Sequence, residues 1–179
     1  MVNSYAANMD DMVLRARAFA TRAHTGQVRK YTGEPYIMHP IEVSEIVARH
    51  NGSKEMIAAA LLHDVVEDTD ININEIRAEF GDIVANLVDD LTDISKLEDG
   101  NRAFRKGLDR EHTANASAAA MAVKAADLIS NTKSIVAHDP SFAKVYLQEK
   151  RALLGVMFKI KHTEIYKEAI KEIVEPVDV

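Results

Sequence analysis

A chain of 179 residues, 47% hydrophobic and 28% charged, has the length and balance of one folded domain that buries its own core, and excludes a disordered or fibrous protein. Its net charge of -6 argues against a general nucleic-acid binder, which carries a basic excess, and the absence of cysteine excludes disulfides, thiolate chemistry and a zinc-thiolate site. The opening MVNSYAANMDDM lacks a basic n-region and an apolar h-region, and no stretch approaches a membrane span, so a cytoplasmic protein is expected.

From Met9 to Ala23, apolar residues recur every three or four positions, the mark of one helical face, until Gly26 stops the helix. The stretch from Gly26 to Pro40, with its prolines and glycines and no helical period, predicts an ordered loop. Pro40 suits the first turn of a second helix that ends at Asn51-Gly52. Ser53 is a predicted N-cap for a third helix running through AAALLHDVVED without a break. Asn72, with Glu75 three residues on, caps a short helix that Gly81 closes, and Asp82 to Leu91 forms another. TDISKLEDG is a loop, and Asn101 to His112 is helical. Ser117 to His138 is a long helix broken by Asp139-Pro140, and one or two further helices run to Glu175. With no period-two segment and no internal repeat, the expected fold is a single-domain all-α bundle of about eight helices over residues 1–179.

Chemistry concentrates in Leu61-Leu62-His63-Asp64-Val65-Val66-Glu67-Asp68. At 100° per residue, Leu61, Leu62, Val65 and Val66 share one side, while His63, Asp64, Glu67 and Asp68 share the other. Three carboxylates on one face repel one another, so a counter-charge is expected, and a divalent cation is the economical one. A solvated acidic face with an incidental histidine is the competing reading. His39, beside the Pro40 helix start, and Asp127, within a stripe that also holds Lys124, Asn131 and Ser134, are the other candidates for such a site.

His39, then His63-Asp64, then Asp127 resembles the H…HD…D signature of the HD-superfamily phosphohydrolases. The surrounding words GQVRKYTGEPYIMHP, AAALLHDVVEDT and VKAADLISN resemble the hydrolase domain of RelA/SpoT-type enzymes and the free-standing small alarmone hydrolases, over roughly Phe19 to Ser134. The resemblance implies a metal-dependent enzyme that removes the 3′-pyrophosphate of (p)ppGpp, with His39, His63, Asp64 and Asp127 holding one divalent ion, usually Mn²⁺. Two neutral imidazoles and two carboxylates suit such an ion. Glu67-Asp68 resembles the family's ED motif, which is assigned to water activation.

The same resemblance places the basic pair Arg29 and Lys30 at the nucleotide. There a guanidinium suits stacking on the base and an ammonium suits a phosphate. Asn131 and Ser134 match positions that hydrogen-bond the nucleoside, with Ser134 standing where threonine is more usual. Tyr36 shapes the Gly33-Pro35 loop, as core packing or as a ligand contact. Lys96 and Arg102 are candidate phosphate contacts, for which plain surface charge is the competing reading. His24, His50, His112, His138 and His162 read as helix-end or surface histidines.

The expected partner is a small nucleotide, with neither nucleic acid nor membrane involved and the oligomeric state left open. Long relatives continue into a synthetase domain, so a chain ending at Val179 is expected to hydrolyse and not to synthesise. DREHTANASAAAM departs from the family in a region that commonly helps close the pocket. An adenine alarmone such as (p)ppApp, a nucleotidase or deoxynucleotide triphosphohydrolase of the same superfamily, and an inactive alarmone-binding module are the alternatives.

Overall fold

The structure, a computed structural model, describes residues 4–174. It is all-α, as the sequence predicts: α1 (Ser4–Ala23), α2 (Met38–Arg49), α3 (Lys54–Leu62), α4 (Val65–Asp68), α5 (Ile73–Leu91), α6 (Arg102–Asn115), α7 (Ala118–His138), α8 (Pro140–Val156) and α9 (Glu164–Val174). Single 3₁₀ turns lie at Leu97–Asp99 and Phe158–Ile160. The expected helix end at Glu175 lies outside the described residues. Among those residues, no helix is long and apolar enough to cross a membrane. The chain forms two compact units, one ending at Thr92 and the other beginning at Asp93.

In the first unit α3 is the central element and lies against α1, α2 and α5. Its run Ala58-Ala59-Ala60-Leu61-Leu62 is wholly buried, which suits a helix that is apolar on every side, and its small residues let the neighbouring helices approach. Ala16 and Ala20 of α1 and Val43, Ile46 and Val47 of α2 complete this part of the core. Local chemistry sets the boundaries. The Ser53 side chain accepts from the Met56 amide at 3.3 Å. Asn72 and Glu75 form a reciprocal capping box at the start of α5. As the sequence predicts, α5 is two helical stretches that meet at a kink, where Gly81, at φ 84° and ψ 174°, leaves the helical conformation and the second stretch runs on to Leu91.

The expectation of an unbroken helix through AAALLHDVVED is corrected by the structure: α3 ends at Leu62, and His63-Asp64 forms a turn before α4. Both residues keep right-handed helical backbone angles, and His63 Nδ1 lies 2.8 Å from the Ala60 carbonyl, satisfying an acceptor of the last turn of α3.

In the second unit α7 packs against α8 and α9, and α6 against α8. Ser117 caps α7 and Asp139 caps α8, whose first residue is Pro140. Arg102 forks onto Glu149 at 2.7 and 2.8 Å, joining the start of α6 to α8. Lys106 reaches Asp93 at 2.8 Å and buried Asp109 at 3.0 Å, and Asp109 also accepts from Ser95.

Candidate metal centre

The turn after α1, the loop before α2, the first turn of α2 and the turn after α3 bring four aromatic rings of the first unit into a row. His24 stacks on Tyr36 at 4.8 Å between centroids, Tyr36 meets His39 at 6.1 Å, and His39 meets His63 edge-on at 5.2 Å. His39 and His63 are buried, at 2% and 3% exposure, so their polar edges face protein rather than bulk water. Together with Asp64 they offer three ligand atoms within 4.8 Å of one another.

The hydrogen bonds fix how these groups are presented. The Ala60 carbonyl can only accept, so the His63 ring donates to it from Nδ1 and leaves Nε2 as the atom on the Asp64 side. That Nε2 lies 3.1 Å from Asp64 Oδ2, and His39 Nε2 lies 3.7 Å from the same oxygen. A lone pair and a carboxylate oxygen at this separation repel unless a cation or proton stands between them. Tyr36 donates its hydroxyl to Asp64 Oδ2 at 2.7 Å and so orients that carboxylate. Besides the packing and ligand-contact roles considered for Tyr36, the geometry shows a further one: the ring packs on His24 and His39, and its hydroxyl braces Asp64. The mixed nitrogen and oxygen donors, their burial and the pre-set ring of His63 fit a divalent cation.

Glu67 and Asp68 sit on α4 at the solvent edge of this cluster. The Asp68 amide bonds the Asp64 carbonyl at 2.9 Å, so the Asp64 and Asp68 side chains remain one helical turn apart despite the break after α3. Loss of surrounding water raises the Asp68 carboxyl above its usual range, and the Asp64 charge adds to this; Tyr36, His24 and His63 pull the other way. Arg29 and Lys30 lie on the preceding loop. The Arg29 amide and carbonyl brace the turn to Glu34 and Gly33, and the Lys30 ammonium rests 4.8 Å from the Tyr31 ring centre.

The other sequence candidates belong to the second unit. Asp127 is buried on α7; its Oδ1 accepts from Asn131 Nδ2 at 2.6 Å, and its Oδ2 lies 3.8 Å from Lys124 Nζ. These three share the stripe that the sequence drew. The Ser134 carbonyl accepts from His138 Nδ1 at 2.8 Å. Lys96 is exposed at the Leu97–Asp99 turn, and Arg102 is bound to Glu149.

His24 is a helix-end histidine, following the last residue of α1, but the surface alternative is corrected, because the residue is 3% exposed. Its Nδ1 lies 2.8 Å from Gln27 Oε1, while Gln27 Nε2 donates to the Asp68 carbonyl at 2.8 Å. The signal was in the sequence. His24 follows Ala16 and Ala20 at four-residue steps, so it continues the buried stripe of α1.

The HD domain family model matches residues 16–150. Human guanosine-3′,5′-bis(diphosphate) 3′-pyrophosphohydrolase MESH1 is 40% identical over 129 residues, which are 69% of this chain and 69% of the human protein. A probable guanosine-3′,5′-bis(diphosphate) 3′-pyrophosphohydrolase of Synechocystis is 49% identical over 86 residues, or 48% of this chain. The match spans only 11% of that protein, and a match to the GTP pyrophosphokinase of Streptomyces coelicolor spans 16% of that one. Among solved structures, a metazoan ortholog of SpoT that hydrolyses ppGpp superposes with a TM-score of 0.80 at 27% identity, covering 92% of this chain and 94% of the other. Three ligand-bearing residues in the first unit, a family match that takes in most of the chain, and a relative matched over most of its own length lead to one assignment: the chain belongs to the HD domain family.

Proposed function

We propose that the chain is a metal-dependent hydrolase that removes the 3′-pyrophosphate of (p)ppGpp, giving GDP or GTP and pyrophosphate, and that it works in the cytoplasm with Mn²⁺. The observation that carries this reading is the His39, His63 and Asp64 group, with the His63 ring held through Nδ1 so that Nε2 lies beside Asp64, in a chain that aligns with 3′-pyrophosphohydrolases. Asp127 joins the ligand set on the strength of the sequence resemblance, and residues 1–179 act as one HD domain.

A divalent ion held there supplies Lewis acidity and a polarised water. The protein's own groups do the rest. Tyr36 holds the Asp64 carboxylate in place, and Ala60 fixes the His63 ring. Glu67 and Asp68 take the proton of the attacking water as a pair, and the elevated Asp68 carboxyl suits a proton acceptor that must later release what it takes. Arg29 stacks on the base, Lys30 and Lys96 meet phosphates, and Asn131 and Ser134 bond the nucleoside.

The test is a product assay over ppGpp, pppGpp, ppApp and deoxynucleotides with Mn²⁺, separated by ion exchange, with Glu67→Gln and His63→Ala alongside. Pyrophosphate released from the 3′ side of ppGpp by the wild type alone supports the reading. Release of tripolyphosphate from deoxynucleotides, or equal rates in all three proteins, overturns it.

A further inference from the structure

The two carboxylates assigned to water activation stand on a helix of four residues, Val65–Asp68. A helix this short makes too few internal bonds to hold its own shape, and its terminal carbonyls need partners from outside. Two are present. Thr69 Oγ1 donates to the Val65 carbonyl at 2.6 Å, and Gln27 Nε2 donates to the Asp68 carbonyl at 2.8 Å. The second partner is itself held. The carbonyl of Asp68 can only accept, so the amide nitrogen of Gln27 faces it and the amide oxygen faces His24. That oxygen can only accept, so the His24 proton must sit on Nδ1. His24 Nε2 has no hydrogen-bond partner in its buried position. Stability alone would favour an apolar residue there, because an unmatched buried polar atom is costly and a leucine of similar volume carries none. What the histidine adds is the Nδ1 donor.

We infer that His24 and Gln27 are positioning residues for the hydrolysis, forming a clamp from the end of α1 that sets where α4 presents Asp68. The clamp is relayed through defined atoms: His24 Nδ1–H to Gln27 Oε1, and Gln27 Nε2–H to the Asp68 carbonyl. The backbone of Gln27 is pinned as well, its amide bonding the His24 carbonyl at 3.0 Å and its carbonyl accepting from the Tyr36 amide at 2.9 Å. The same short segment therefore fixes the position of Tyr36, which orients Asp64, and of Asp68. This inference rests on the hydrolase reading of Glu67 and Asp68.

The test compares His24→Leu, Gln27→Met and His24→Asn with the wild type. The asparagine side-chain amide places an N–H close to where imidazole Nδ1 stood, so it is the conservative replacement. Five quantities are measured: kcat and KM for ppGpp with Mn²⁺, the Mn²⁺ dissociation constant, the melting temperature, and amide hydrogen exchange across residues 67–71. The leucine and methionine variants are expected to lose about tenfold in kcat, the scale on which small misplacements act. Their KM and Mn²⁺ affinity stay within about twofold, and exchange in 67–71 accelerates by about tenfold. The asparagine variant keeps kcat within about threefold and near-native exchange. Equal losses in the leucine and asparagine variants, unchanged exchange in Gln27→Met, or a loss carried by Mn²⁺ affinity would each overturn the clamp. If the wild type does not turn over ppGpp, the substrate reading fails, and the exchange data alone then decide whether the clamp exists.

Discussion

Replacing Tyr36 with phenylalanine removes one atom from the candidate metal centre and leaves the ring stack of His24, Tyr36 and His39 in place. The lost bond is the 2.7 Å donation from the Tyr36 hydroxyl to Asp64 Oδ2. A hydrogen bond to an ionised group contributes about 1.5–3 kcal/mol. The Asp64 side chain keeps 16% of its surface open, enough for a water to replace part of what the phenol gave, which places the cost at the lower end, about 1.5 kcal/mol. Since about 1.4 kcal/mol is a factor of ten, Mn²⁺ should bind Tyr36→Phe about tenfold more weakly. Calorimetric titration at fixed pH reads this, with a thermal melt to establish that the fold is intact. The effect on Mn²⁺ binding should shrink in an Asp64→Asn background, because Oδ2 of that carboxylate is where the hydroxyl donates. Wild-type affinity in Tyr36→Phe, or a tenfold loss that persists in the Asp64→Asn protein, would refute the bracing role.

Other predictions concern stability. Arg102 holds the Glu149 carboxyl below its ordinary value of 4.5, so the pair's stabilisation is full above that pH and is lost as pH falls through the depressed value. Glu149→Gln should therefore cost about 0.5–1 kcal/mol in urea unfolding at pH 7, and the difference from wild type should disappear on acidification below 4.5. Asn72→Ala removes the side chain that accepts from the Asn74 and Glu75 amides, and should lower stability by about 1 kcal/mol in the same assay. A Cβ at Gly52 would overlap Val47 Cγ1 and press on the Val47 carbonyl, so Gly52→Ala should cost about 1–3 kcal/mol and lower the melting temperature.

Helix ends were legible wherever the signal was local. Ser53, Asn72, Ser117 and Asp139-Pro140 act on amides two or three residues away, and the chain obeys each of them. The break at His63 was not legible, because every residue from Ala58 to Asp68 tolerates a helix, and even at the turn His63 and Asp64 keep helical backbone angles. At Gly81 the sequence marked both the interruption and the helix that follows it, because a glycine there supplies a positive φ locally. The chemistry-bearing residues His63 and Asp64 could be read from their neighbours, and the family words supplied His39. The role of Tyr36 could not be read, since it depends on a bond to a residue 28 positions away. His24 could have been found from its step behind Ala16 and Ala20, but a histidine without an adjacent acid gave no reason to look.

The imidazole of His63 is held by the end of its own helix before any ion arrives. A ring already facing its guest has little rotational freedom left to surrender, so capture should be governed by how readily the ion sheds its hydration shell. Magnesium, which gives up water reluctantly, would then enter more slowly than manganese even at concentrations chosen to give equal final occupancy.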